Sequence, residues 1–64
     1  MESIQIRSMR VRLGITQEQL AHLVGVSWVT ISRWERGKAR PSPLAEEKLQ
    51  NLLGQEQLEL KLTS

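Results

Sequence analysis

The chain has 64 residues, with two tryptophans and no phenylalanine, tyrosine or cysteine. This length predicts one small domain, and the lack of cysteine excludes both a disulfide framework and a thiolate metal site. Residues 1–40 hold seven basic and three acidic side chains (+4) while residues 41–64 hold two basic and four acidic ones (−2), so the net charge of +2 is unevenly divided.

Start and stop signals divide the chain into four predicted helices. Glycine commonly follows a helix end because it adopts the left-handed conformation easily. The glycines are Gly14, Gly25, Gly37 and Gly54. The start signals are a capping box from Thr16 to Gln19, Ser27 before Trp28, and Pro43 after Ser42. Together they predict helices near residues 4–13, 17–24, 28–36 and 43–53, and hence an all-α domain over residues 1–54.

The link between the second and third predicted helices consists of residues 25–27 alone. A short link that begins with glycine fits two helices meeting at a steep angle, as in a helix-turn-helix, although other helix hairpins use similar turns. Leu20, Ala21 and Val24 share one face of the second helix, and the small Ala21 would let the two helices approach closely.

The third predicted helix has an apolar side defined by Ile31 and Trp34, which lie about 60° apart around the axis. These two residues are expected in the core. Trp28 lies near the edge of that side, in the first turn. It therefore has two interpretations: a lid folded over the core, or a side chain projecting from the start of the helix.

The opposite side of this helix carries Val29, Ser32 and Arg33. Arginine can donate two hydrogen bonds to guanine in the major groove of DNA, and an apolar side chain can contact the thymine methyl group. Four basic side chains also fall within eight positions, at Arg33, Arg36, Lys38 and Arg40. Such a stripe suits a polyanion. A protein-contact surface or a solvated charged surface is the alternative.

The residues predict no catalytic or metal site. The sequence has no aspartate, and its only histidine, His22, is offset from the apolar face of the second helix, so we expect it to be exposed or close to a bound phosphate rather than catalytic. No carboxylate pair, metal-binding cluster or phosphate-binding glycine loop is evident. We therefore expect a protein that is not an enzyme, with no cofactor, no metal and no small-molecule substrate.

Residues 55–64 are interpreted as a C-terminal tail and a candidate dimerisation element. Leucines alternate over residues 58–62 as in a half-buried strand, and antiparallel self-pairing would place Glu59 opposite Lys61 of a second copy. A fifth short helix or a frayed end is the alternative. The leucines of the fourth helix, Leu49, Leu52 and Leu53, also offer apolar surface for a dimer.

The segment IRSMRVRLGITQEQLAHLVGVSWVTISRWERGKARP, residues 6–41, resembles the Cro/repressor-type (Xre-like) helix-turn-helix family of DNA-binding proteins. The resemblance extends to about residue 53. It rests on Arg10, Gly14, Thr16, Gln17, Leu20, Ala21, residues 25–27, Ile31 and residues 35–37. It implies a compact repressor-like domain of four or five helices, as in the lambda repressor, with residues 28–36 as the recognition helix.

The resemblance also implies residue roles. Base contacts are expected from Trp28, Val29, Ser32 and Arg33. A phosphate contact is implied for Gln17, and the basic stripe and the helix starts add expected phosphate contacts at Thr16, Ser27, Thr30, Arg36, Lys38 and Arg40. Arg10 and Glu35 are expected to form a structural salt bridge. Many relatives carry glutamine or another polar residue in place of Trp28 and Val29, so the base preference cannot be transferred from them.

The implied function is sequence-specific binding of double-stranded DNA by a small transcriptional regulator. We expect a homodimer at least on DNA, because one such domain reads few base pairs. The first twelve residues lack the apolar run of a secretory signal, and no span is apolar enough for a membrane. A cytoplasmic, nucleoid-associated protein is expected. The alternative is a protein-interaction module, or a toxin-neutralising antitoxin with the same fold.

Overall fold

The structure is a computed structural model that describes the backbone of residues 1–63 and the side chains of residues 1–54. This part of the chain contains four α-helices and no strand. The helices are α1 (Ser3–Leu13), α2 (Gln17–Val24), α3 (Trp28–Glu35) and α4 (Pro43–Thr63). The predicted all-α fold is therefore confirmed. Among the described residues, no helix is both long and apolar enough to cross a membrane.

Local sequence signals explain the bounds of the first two helices. At the start of α2, the hydroxyl of Thr16 accepts a hydrogen bond from the backbone N–H of Gln19 at 3.1 Å, and the Gln19 side chain accepts one from the N–H of Thr16 at 2.8 Å. The Gln5 side chain likewise accepts from the N–H of Glu2 at 2.7 Å ahead of α1. Gly25 ends α2 with φ 84°, a left-handed conformation that other residues adopt only with strain.

The helix end predicted at Gly54 is wrong, because α4 continues through Thr63. Gly54 lacks the positive φ of the other three glycines. A glycine inside a helix costs only about 1 kcal/mol relative to alanine, and the neighbouring glutamines, glutamates and leucines favour a helix. The strand interpretation of residues 58–62 is wrong for the same reason. The division into a domain over residues 1–54 and a tail over residues 55–64 stays a prediction.

All four helices contribute to one apolar core. Its buried residues are Ile6, Met9, Leu20, Ala21, Val24, Ile31, Trp34, Ala45 and Leu49. Leu49 is fully buried, and Leu52 and Leu53 pack half-buried against the core. Leu49 therefore offers no surface for a dimer, whereas for Leu52 and Leu53, which are only partly buried, that interpretation stays a prediction.

Candidate nucleic-acid interface

The first turn of α3 is fixed by Ser27 and its last turns by the core. The Ser27 hydroxyl accepts a hydrogen bond from the backbone N–H of Thr30 at 3.3 Å and lies 3.0 Å from the Thr30 hydroxyl. Ile31 is fully buried and Trp34 is 4% exposed, as the apolar pattern predicts. One side of α3 is thus anchored, and the opposite side is left at the surface.

The outer side of α3 combines apolar and cationic side chains. Trp28 is 53% exposed and Val29 is 46% exposed. Arg33 is exposed beside them, and Ser32 is half-buried. The lid interpretation of Trp28 is therefore wrong, and the indole projects from the start of the helix. Trp28 and Ser32 are neighbours at a spacing of four, and Val29 is a neighbour of both Ser32 and Arg33 at spacings of three and four.

Arg10 and Glu35 form a bidentate ion pair between α1 and the end of α3. Arg10 Nε donates to Glu35 Oε2 at 2.7 Å, and a second guanidinium nitrogen donates to Oε1 at 3.1 Å. The Arg10 side chain is 17% exposed and that of Glu35 is 5% exposed. The hydrogen bond to Glu35 raises the pKa of Arg10 above its ordinary value, against the opposing effect of burial. The guanidinium therefore stays charged.

Two further hydrogen bonds extend this ion pair to α2. Arg10 donates to the backbone oxygen of Ile15 at 3.1 Å, and the side-chain amide of Gln17 donates to Glu35 at 3.3 Å. The sequence analysis missed the Gln17 contact, because the partners are 18 residues apart and no local signal links them. The network joins α1, α2 and α3, so it holds the outer side of α3 at a fixed orientation.

The starts of α2 and α3 open onto one shared surface depression. It is lined by Arg10, Thr16, Gln17, Glu18 and Trp28. Unpaired N–H groups at a helix start attract anions, which favours a phosphate there. Thr16 and Ser27 already serve as caps through their hydroxyl oxygens, but each hydroxyl hydrogen can still be donated. Gln17 keeps one amide hydrogen beyond the one directed at Glu35.

The turn after α3 presents basic side chains to solvent. Arg36, Lys38 and Arg40 are all exposed, and the N–H of Lys38 donates to the backbone oxygen of Arg33 at 2.9 Å, which closes the turn. The acidic Glu35 lies within this stretch, but its carboxylate is turned inward onto Arg10. The outward surface of the stretch is therefore cationic.

Residues outside this surface have structural or undetermined roles. His22 is exposed beside Ile15 and Leu23. Lys48 of α4 donates to the backbone oxygen of Val24 at 3.2 Å and so satisfies a carbonyl at the end of α2, a contact that no sequence signal indicated. Within residues 1–54, no cluster of three or more histidine, aspartate, glutamate or cysteine side chains could hold a metal ion.

A family comparison and one relative both indicate a helix-turn-helix. The helix-turn-helix family matches residues 6–61. An uncharacterized HTH-type transcriptional regulator of Methanothermobacter thermautotrophicus is 43% identical over 54 residues, which cover 84% of this chain and 78% of the relative. The type II methyltransferase M1.ScrFI of Lactococcus lactis subsp. cremoris is 49% identical over 45 residues, but these are 66% of this chain and only 12% of the methyltransferase. No solved structure matches the chain significantly. The chain belongs to the Cro/repressor-type helix-turn-helix family.

Proposed function

We propose that this protein is a small transcriptional regulator that binds specific sequences of double-stranded DNA, with α3 in the major groove. The observation that carries the proposal is the outer side of α3, where Trp28, Val29 and Arg33 are exposed next to a cationic turn. The relative from Methanothermobacter thermautotrophicus, itself named as a transcriptional regulator, supports the same function.

The proposed base and phosphate contacts follow from the chemistry of each side chain. Arg33 has the donor geometry for guanine, Ser32 can exchange hydrogen bonds with several bases, and Trp28 and Val29 offer apolar contact. Arg36, Lys38 and Arg40 would bind phosphates, together with the N–H groups and polar side chains at the starts of α2 and α3: Thr16, Gln17, Ser27 and Thr30. Phosphate contacts supply much of the affinity, and base contacts supply selectivity.

We further propose a homodimer on DNA, in the cytoplasm and associated with the nucleoid. A single recognition helix reads few base pairs, and helix-turn-helix dimers bind half-sites about 34 Å apart, one turn of DNA. Residues 55–64 remain the candidate dimerisation element.

Salt dependence tests the DNA-binding proposal. A labelled duplex is titrated with the protein at several salt concentrations, and Trp28 fluorescence supplies a second signal. Each phosphate contact contributes about −0.9 to the slope of log affinity against log salt, so the three cations of the turn should contribute about −2.7 for each bound subunit. The variant Lys38→Gln should reduce the magnitude of the slope by about 1 for each bound subunit.

Arg12→Gln is the matched control for Lys38→Gln. Arg12 lies about 160° around α1 from Arg10, and Arg10 faces α3. Removing this charge should leave the salt slope unchanged. If the protein shows no salt-sensitive binding to DNA and no retention on heparin, a protein-interaction module or toxin-neutralising antitoxin is the better assignment.

A further inference from the structure

Ile4 and Val11 form an exposed apolar line along α1. Ile4 is 65% exposed and Val11 is 61% exposed. They are seven positions apart, which places them within about 20° of each other around the helix axis. The buried residues of α1, Ile6 and Met9, lie on average about 180° away from this line. The apolar line therefore points into solvent, where a helix normally carries polar side chains.

Arg10 shows how this apolar line is turned relative to α3. Its guanidinium pairs with Glu35 at the end of α3. Around the axis of α1, Arg10 lies about 110° from the midline of Ile4 and Val11. The apolar line is therefore turned away from α3, and DNA bound to the outer side of α3 would leave it accessible.

A groove runs beside the apolar line, between α1 and α4. One depression is lined by Ile4, Arg7, Ser8, Val11 and Arg12. An adjoining depression shares Ile4, Ser8 and Arg12 and continues to Gln50 and Leu53 of α4. The short side chain of Ser8 leaves space between its larger neighbours. A groove with apolar walls fits an amphipathic helix, which lays its apolar side chains into such a site.

The charges beside the groove define the polar side of its partner. Every charged residue within α1 is an arginine. Arg7 and Arg12 are exposed on opposite sides of the apolar line, about 50° and 90° from it. An acidic partner complements them, whereas α1 of a second copy would bring arginines against arginines. We infer that α1 and the adjoining groove bind an amphipathic helix of another protein that carries glutamate or aspartate beside its apolar stripe.

This protein-binding surface is separate from the proposed DNA interface. Ile4 and Val11 lie on α1, whereas Trp28 and Val29 lie on α3. The protein would therefore hold DNA and the acidic helix at the same time. The inference goes beyond DNA binding, and its failure would leave that proposal intact.

Two designed peptides test the surface with defined probes. Each is about 18 residues long, enough to form a helix, and has leucines along one side. One peptide carries glutamates beside the leucines, and its matched control carries lysines at the same positions. Nuclear magnetic resonance of the isotope-labelled full chain should show shifts in α1 with the glutamate peptide, weakening as salt is added. The lysine peptide should cause no such shifts.

Variants of α1 separate a direct contact from an effect on the fold. Ile4→Ala and Arg7→Glu should each weaken binding of the glutamate peptide about fivefold, through lost apolar contact and through charge repulsion respectively. Arg7→Glu should also bind the lysine peptide more tightly than the wild type does, which a merely structural effect would not produce. Leu44→Ala is the matched control and should bind as the wild type does, because Leu44 is 64% exposed at the start of α4.

Four outcomes would overturn the inference. The first is no shift in α1 with the glutamate peptide, and the second is equal binding of both peptides. The third is concentration-dependent shifts of Ile4 and Val11 without peptide, because a second copy of the chain would then occupy the surface. The fourth is displacement of the glutamate peptide by a duplex, because DNA would then occupy it. Circular dichroism checks that each variant folds, and the salt dependence of DNA binding is measured separately on Arg7→Glu.

Discussion

Loss of one partner of the ion pair between Arg10 and Glu35 should destabilise the fold strongly. Replacing Arg10 by methionine leaves the Glu35 carboxylate, which is 5% exposed, with the 3.3 Å hydrogen bond from Gln17 as its remaining contact from this network. Removing one partner of a buried pair costs about 3–5 kcal/mol. Because the Arg10 side chain is 17% exposed, the lower end applies, and we expect Arg10→Met to reduce the free energy of unfolding by about 3 kcal/mol.

This loss is large for so small a domain. At typical values per residue, a 64-residue chain has a free energy of unfolding of about 3–10 kcal/mol. Arg10→Met can therefore leave a substantial unfolded fraction. Arg10→Lys keeps the charge but loses the two-pronged geometry, and it should cost about 1–2 kcal/mol, which remains measurable if the methionine variant does not fold.

Urea denaturation, followed by circular dichroism and by fluorescence of the buried Trp34, measures each free energy. The double variant Arg10→Met with Glu35→Leu removes both charges and should be more stable than Arg10→Met alone, since no unpaired carboxylate remains. A coupling energy below about 0.5 kcal/mol in this double-mutant cycle would refute the reasoning, because the two side chains would then act independently.

Three further predictions concern the tryptophans, the glycines and Arg33. Trp34→Ala should destabilise the fold by about 3–5 kcal/mol in urea denaturation. Trp28→Ala should destabilise it clearly less, because about half of that side chain is exposed, and should also weaken DNA binding; equal effects on stability would contradict their placement. Gly54→Ala should stabilise the protein by about 0.5–1 kcal/mol because Gly54 lies inside α4. Gly25→Ala should destabilise it by about 1–2 kcal/mol because the backbone of Gly25 is left-handed. If Gly54→Ala destabilised the protein, the helix would instead end at Gly54. Arg33→Ala should cost about 1–3 kcal/mol of binding free energy on the preferred duplex and much less on random DNA in competition assays, whereas equal losses would make Arg33 a phosphate contact.

The sequence predicted those features of the fold that local signals control. The capping box at Thr16, the left-handed Gly25 and the Ile31 and Trp34 pair each act within one or two helix turns, so spacing alone identifies them. Local signals did not predict the end of the fourth helix correctly. A single glycine is a common helix end but only a weak helix breaker, and its neighbours decided the outcome at Gly54.

Apart from the ion pair of Arg10 and Glu35, which the family resemblance implied, contacts between distant segments could not be predicted from the sequence. The bond from Gln17 to Glu35 and that from Lys48 to the Val24 carbonyl depend on how helices pack, and they span 18 and 24 residues. The position of Trp28 had two interpretations because it lies at the edge of the apolar side of α3. Its exposure of 53% decided between them. The DNA contacts themselves stay predictions.

Selection of preferred duplexes from a random pool tests most directly whether the outer side of α3 reads DNA sequence. The wild-type protein should enrich a defined site that contains the guanine bound by Arg33, and a dimer should enrich two copies about 34 Å apart. Arg33→Ala should lose the preference at the guanine and retain the other preferences. Failure to enrich any site, or the same site from the wild type and from variants of Arg33, Val29 and Trp28, would contradict the proposed role of α3.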